Sequence, residues 1–134
     1  MVRVLIVEDN EPLRRVMVRL LSARPEVEVV GDCEDVAAAL VALAEAEVDV
    51  VLMDFHLPDM NGAAAVAALR ARGDQTRVLI LSGSADLVHV EEALAAGASG
   101  YVVKRANVEE LLQGIAAVAR GRTYRSRTTG DVKP

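Results

Sequence analysis

Four apolar runs in this chain end abruptly in side chains that can do chemistry. Val2 to Val7 meets Glu8-Asp9, Val50 to Met53 meets Asp54, Val78 to Leu81 meets Ser82, and Tyr101 to Val103 meets Lys104. Apolar runs of this kind read as strands buried on both faces, the habit of parallel sheets. If they lie parallel, their carboxyl ends share one rim, the edge where open α/β sheets bind ligands. Taken alone, Asp54 reads more readily as a cap for the loop that Pro58 and Asn61-Gly62 enforce, and Lys104 has a surface lysine as its lesser alternative. Their coincidence at matching strand ends favours a shared site.

Three carboxylates against one ammonium give that rim a charge near −2, which is repulsive unless a cation enters. A hard divalent ion with oxygen ligands fits: Mg²⁺, with Mn²⁺ as a substitute, held by carboxylates and phosphate oxygens. A carboxylate oxygen of Asp54 is then placed to attack an incoming phosphoryl group. Lys104 would neutralise charge on the phosphoryl oxygens, and the Ser82 hydroxyl would hydrogen-bond one of them. Only two lysines stand among the 15 basic residues, so a chain that otherwise uses arginine has chosen a compact point charge here.

The elements between these positions follow from periodicity. After Val2 to Val7, Pro12 suits a first helical turn, and Leu13, Val16, Met17, Leu20 and Leu21 form one apolar stripe. Arg24-Pro25 stops that helix, and Val27 to Val30 forms a second strand closed by Gly31. An Ala-rich helix over 35–46 turns Val36, Leu40 and Leu43 inward, and Val48 to Met53 is the third strand. Residues 62–72 form a helix anchored by Val66 and Leu69, Val78 to Leu81 a fourth strand, and Asp86 to Ala96 a helix ended by Gly97. Tyr101 to Val103 is the fifth strand. Asn107 with Glu110 opens a last helix like a capping box, with Val108, Leu111, Leu112, Ile115 and Val118 inward and Gly121 at its end. Five strands alternating with five helices predict a single doubly wound five-stranded parallel sheet, α/β in class. The second strand contributes only Gly31-Asp32 and belongs at an edge outside the site.

Composition narrows the function classes. At 134 residues and 52 % hydrophobic, the chain supports one well-packed domain and is not disordered. Phe55, Tyr101 and Tyr124 are its only aromatic residues, so the core is Val, Leu, Ile and Ala. The net charge of −5 divides into about −9 over residues 1–119 and +4 over 120–134. An acidic body repels nucleic acid, while the short tail does not. Cys33 stands alone, which excludes an intramolecular disulfide and a cysteine-based zinc site. Met1 to Val7 meets Glu8-Asp9 too early for a signal peptide, and no apolar run approaches the roughly 20 residues needed to cross a bilayer. A cytoplasmic protein of a reducing compartment, without membrane contact, is the expectation.

Val7-Glu8-Asp9-Asn10, Met53-Asp54-Phe55-His56-Leu57-Pro58, Leu81-Ser82-Gly83 and Gly100-Tyr101-Val102-Val103-Lys104 together resemble the four signatures of the bacterial two-component response-regulator receiver domain, over about residues 2–121. The resemblance implies a CheY-like, flavodoxin-like fold with strand order 2-1-3-4-5. It implies that Asp54 accepts a phosphoryl group from the phosphohistidine of a sensor histidine kinase. It also implies that Glu8, Asp9, Asp54 and the backbone carbonyl of His56 hold Mg²⁺, and that Ser82 and Tyr101 form a switch pair. Ala95 to Lys104 and Leu111 to Gly121 resemble the NarL/FixJ type, with Arg105 where many receivers carry proline. His56 and Ser84, two residues after Asp54 and Ser82, are candidates for tuning dephosphorylation.

The expected organisation is a receiver over 1–121 and a basic tail or linker start over 122–134. Its output would be transcription through a DNA-binding domain outside this chain, with homodimerisation on phosphorylation; the alternative is a stand-alone receiver working through protein contacts. A phosphatase of the haloacid dehalogenase type also places Asp after a strand, but it needs a second Asp where His56 stands, so its proton shuttle is missing. No Gly-x-Gly-x-x-Gly or Walker lysine follows the first strand. The expected role is therefore a phosphoacceptor rather than an enzyme acting on a separate substrate.

Overall fold

The computed structural model describes residues 1–83, 86–104 and 106–126. Ser84, Arg105 and the tail from Arg127 onward, with its expected linker role, lie outside the described residues. The elements run β1 (Val2–Val7), α1 (Glu11–Ser22), β2 (Val27–Cys33), α2 (Val36–Glu45), β3 (Val50–Asp54), α3 (Gly62–Ala71), β4 (Arg77–Ser82), α4 (Leu87–Ala96), β5 (Gly100–Val103), α5 (Val108–Ala119) and β6 (Tyr124–Arg125). The sheet order is β2-β1-β3-β4-β5-β6, and every pairing is parallel. The doubly wound fold is as the alternation of elements predicted, with one strand more.

Each helix starts where a side-chain oxygen replaces a missing intrahelical acceptor. Asn10 accepts from the Leu13 amide at 3.0 Å, Asp35 from Ala38 at 2.8 Å, Asn61 from Ala64 at 2.8 Å, Asp86 from Val88 at 2.9 Å and Asn107 from Glu110 at 2.8 Å. The sheet alternates its side chains between two cores. Leu5, Val7, Val51, Met53, Ile80 and Tyr101 face α2, α3 and α4; Val4, Ile6, Leu52, Leu79, Leu81 and Val102 face α1 and α5. On α1 the core takes only part of the expected stripe. Met17 and Leu21 are buried, whereas Val16 and Leu20 are 43 % and 49 % exposed.

The sixth strand is one more than expected and forms within the stretch expected to be tail or linker start. Tyr124 and Ser126 donate their backbone amides to Ser99 and Tyr101 carbonyls at 3.1 and 2.9 Å. Two glycines open the slot. A Cβ on Gly100 would stand 2.7 Å from the Tyr124 carbonyl oxygen, and one on Gly114 would stand 3.2 Å from the Tyr124 ring. Glu110 completes the dock. Its Oε2 accepts from the Tyr124 hydroxyl and the Ser126 hydroxyl, both at 3.0 Å, while the Val103 amide donates to Ser126 Oγ at 3.2 Å. Only half of the expected capping box is therefore used, because the Glu110 carboxylate is committed to β6.

Replacing Gly100 with Ala is expected to cost about 1–3 kcal/mol through overpacking, read as a lower urea midpoint at unchanged slope. Ending the chain before Tyr124 should recover part of that loss, since the carbonyl met first belongs to β6.

Candidate functional site

Parallel register brings the predicted residues together. Val7 lies opposite Met53, so the next residues, Glu8 and Asp54, leave the sheet side by side. Asp54 pairs with Leu81 and Ser82 with Val103, which sets Ser82 and Lys104 on the other flank of Asp54. Two more backbone bonds carry the ladder past the strands' ends: Phe55 N to Leu81 O at 3.3 Å and Lys104 N to Ser82 O at 2.7 Å.

The Lys104 ammonium lies 3.0 Å from Glu8 Oε1 and 3.2 Å from Asp54 Oδ2. Glu8 is 1 % exposed and Asp54 6 % exposed, whereas Asp9 is open to solvent. The other oxygens face backbone: Asn10 N donates to Glu8 Oε2 at 3.1 Å, and His56 N donates to Asp54 Oδ1 at 3.3 Å. Glu8 Oε1 is buried, with the Lys104 ammonium as its ion-pair partner and no backbone donor. Burial pushes the Glu8 carboxyl above its ordinary value, with the Asp54 charge adding to that, against the opposing pull of Lys104 and the Asn10 amide. Burial works against the Lys104 ammonium, but Glu8 and Asp54 outweigh it and hold the group above the ordinary lysine value.

One carboxylate oxygen each from Glu8, Asp9 and Asp54 lies within 4.8 Å of the others. With a buried, unsatisfied Glu8 oxygen among them, this donor set suits a hard divalent cation. Ser82 is fully buried, and its hydroxyl shares a side-chain hydrogen bond with the Tyr101 phenol. Burial raises the Tyr101 phenol above its ordinary value, and the bond to Ser82 partly offsets this. The Tyr101 ring is thus fully inside the core, beside Phe55 at 6.4 Å between centroids. His56 exposes its side chain, and Ser84 lies outside the described residues.

Two supporting residues escape a reading of motifs. Arg14, on α1, donates to the Glu8 carbonyl at 2.7 Å and to Asp32 at 2.9 Å, fixing the end of β1 against β2. Asp59 spreads its two oxygens over the Val36 and Ala37 amides at 3.2 and 3.1 Å, which fastens the loop after Asp54 to the start of α2. Desolvation works to raise its carboxyl, but the Val36 and Ala37 amides, with those of Asp59 and Met60, together outweigh it and hold the group below the ordinary range. Nothing local marks either residue, because Arg14 reaches Asp32 and Asp59 reaches Val36 and Ala37 from separate elements of the chain.

The response regulator receiver domain family matches residues 4–116. The DNA-binding transcriptional activator DevR/DosR of Mycobacterium tuberculosis is 41 % identical over 92 % of this chain and 57 % of its own length. A protein-glutamate methylesterase/protein-glutamine glutaminase of a Nocardioides species is 41 % identical over 80 % of this chain but only 30 % of its own length. The solved signal receiver domain of the putative response regulator NarL from Mycobacterium tuberculosis shares 37 % identity at a TM-score of 0.85, covering 90 % of this chain and 98 % of that one. The chain spans about half the length of the transcriptional regulators it matches.

Removing the ammonium with Lys104→Ala is expected to destabilise the fold by about 3 kcal/mol in metal-free buffer, since two buried carboxylates lose their counter-charge. Added Mg²⁺ should restore part of that stability in a thermal melt, because a cation at the three carboxylates substitutes for the lost charge.

Proposed function

Because this chain belongs to the response regulator receiver family, and to its NarL-like type, we propose that it carries a signal as a phosphoryl group on Asp54, in an Mg²⁺-dependent reaction with a sensor histidine kinase. The observation that supports this best is the Asp54 carboxylate, bonded to Lys104 at 3.2 Å and clustered with Glu8 and Asp9 within 4.8 Å.

A carboxylate oxygen of Asp54 attacks phosphorus, the donor's N–P bond breaks, and its electron pair returns to the imidazole, which is reprotonated. Glu8, Asp9 and Asp54 would hold Mg²⁺, with the His56 carbonyl as a further ligand. The ion supplies charge neutralisation for the phosphoryl oxygens. Lys104 trades part of its pairing with Asp54 for a phosphoryl oxygen, keeping its positive charge where negative charge accumulates. The Ser82 hydroxyl turns from Tyr101 towards another phosphoryl oxygen, so occupancy of Asp54 is reported to a ring in the core between β5 and α4. His56 borders the water path to the acyl phosphate and is assigned, with Ser84, to the tuning of its lifetime. This makes the chain a signalling domain that reacts at its own side chain, working in the cytoplasm and pairing as a homodimer when phosphorylated.

The receiver is assigned to 1–121, and the basic 122–134, which first lays β6 along the receiver's sheet, leads towards an output. The relation to DevR/DosR favours a DNA-binding output and transcriptional control. The methylesterase relative supports a second reading, in which the same receiver governs a different partner.

Incubation with acetyl phosphate and Mg²⁺ should add one phosphoryl mass, and Asp54→Ala should abolish it. Chelation should stop the loading, as should Asp9→Asn at low Mg²⁺. No adduct on the parent, or an adduct that survives Asp54→Ala, overturns the assignment. Independently, Mg²⁺ at ten times its dissociation constant should stabilise the parent by about 1.4 kcal/mol, an effect that Asp9→Asn reduces.

A further inference from the structure

This chain has five rings in all, three aromatic side chains and two histidines. Four of them gather around Phe55. Phe55, the residue after Asp54, is 1 % exposed. His89 of α4 stacks on it, with centroids 4.7 Å apart and planes 23° from parallel. His56 stands edge-on to both, 5.0 Å from Phe55 and 5.3 Å from His89 at interplanar angles of 81° and 78°. Tyr101 closes the group at 6.4 Å from Phe55.

Histidine is a costly choice at position 89. Its Nδ1 is buried and has no hydrogen-bond partner, a penalty that a leucine in the same place would not incur. The neighbouring core residues of α4, Val90 and Ala93, are aliphatic, so apolar filling alone does not ask for an imidazole. What the ring provides is a flat face for Phe55 and an edge for His56. His56 is otherwise an exposed loop side chain that would sample several rotamers.

We propose that His89 is a positioning residue which, stacked on Phe55, fixes the imidazole of His56, whose backbone amide bonds Asp54, and thereby sets how fast the phosphoryl group is lost. The inference rests on the Asp54 reading given above. In that hydrolysis a water oxygen attacks phosphorus, the bond from phosphorus to the Asp54 oxygen breaks, and its electron pair returns to the carboxylate. The water's proton leaves with the phosphate or to solvent. A His56 ring fixed in place hydrogen-bonds the attacking water, whereas a mobile one spends most of its time elsewhere.

The test loads the protein with acetyl phosphate and Mg²⁺, removes the donor, and follows decay of the phosphoryl mass. His56→Ala should slow the decay roughly tenfold, a modest share of what positioned proton-transfer groups contribute. His89→Leu keeps the apolar packing and removes the unpartnered nitrogen, so its thermal midpoint should equal or exceed the parent's while its decay slows by the same factor. His89→Phe retains the stack and should decay at the parent rate. The double variant His56→Ala with His89→Leu should be no slower than either alone. The inference is overturned by a parent-like rate in His56→Ala or His89→Leu, by effects that multiply in the double variant, or by His89→Phe behaving like His89→Leu. A parent that takes no adduct overturns the Asp54 reading itself, and this inference with it.

Discussion

Glu8 and Asp54 leave adjacent strands side by side and are both buried, and a fold tolerates such a pair only while positive charge faces it. Lys104 supplies that charge, 3.0 Å from one carboxylate and 3.2 Å from the other. The ammonium thereby fastens the turn after β5 to the ends of β1 and β3. It does not settle the account of charge, because Asp9 adds a third carboxylate within reach. A rim short of positive charge suits a hard cation, whereas a balanced ion pair would not. Parallel register makes this crowding unavoidable, since every strand delivers its terminal residue to the same edge.

The consequences run through β5, whose four residues have separate partners. Gly100 lets the Tyr124 backbone approach, and Tyr101 sends its phenol to Ser82 in one core. Val102 fills the other core, and the Val103 amide is held by Ser126 before the chain reaches Lys104. Any displacement of Lys104 towards a new anion is thus coupled along one short strand to the Ser82–Tyr101 pair and to β6. Arg125 of β6 also lies 3.7 Å from Glu91 on α4, an exposed pair of small energetic weight that nonetheless marks where the strand sits. Packed neighbours of this kind shift together rather than deform singly.

The strand-end residues were legible in the sequence because a buried parallel strand is an unbroken apolar run, and a polar residue that ends one must lie at the rim. Helix starts were legible from apolar periodicity, and the structure adds that Asn10, Asp35, Asn61 and Asp86 cap them as Asn107 does. The sixth strand was not. Its signal is a single aromatic residue and a serine in a polar stretch, and its slot is made by Gly100 and Gly114, which lie far from it in sequence. The stripe on α1 gave the helix but not the width of its contact, so Val16 and Leu20 were assigned to a core that takes only their neighbours. Arg14 and Asp59 act across long separations, where one sequence holds no trace of the pairing.

Departures from ordinary packing are confined to one end of the sheet. Among the described residues the two buried side-chain polar atoms without a hydrogen-bond partner are Glu8 Oε1, which is ion-paired to Lys104, and His89 Nδ1. The body of the sheet, from Val4 to Ile6 and from Val50 to Leu52, is wholly buried aliphatic packing. Unsatisfied groups survive only where the surrounding structure over-determines them. The aliphatic sheet, five side-chain caps and the β6 dock are what hold these groups in place. The rim can therefore carry charge repulsion and an orphaned imidazole nitrogen without loosening.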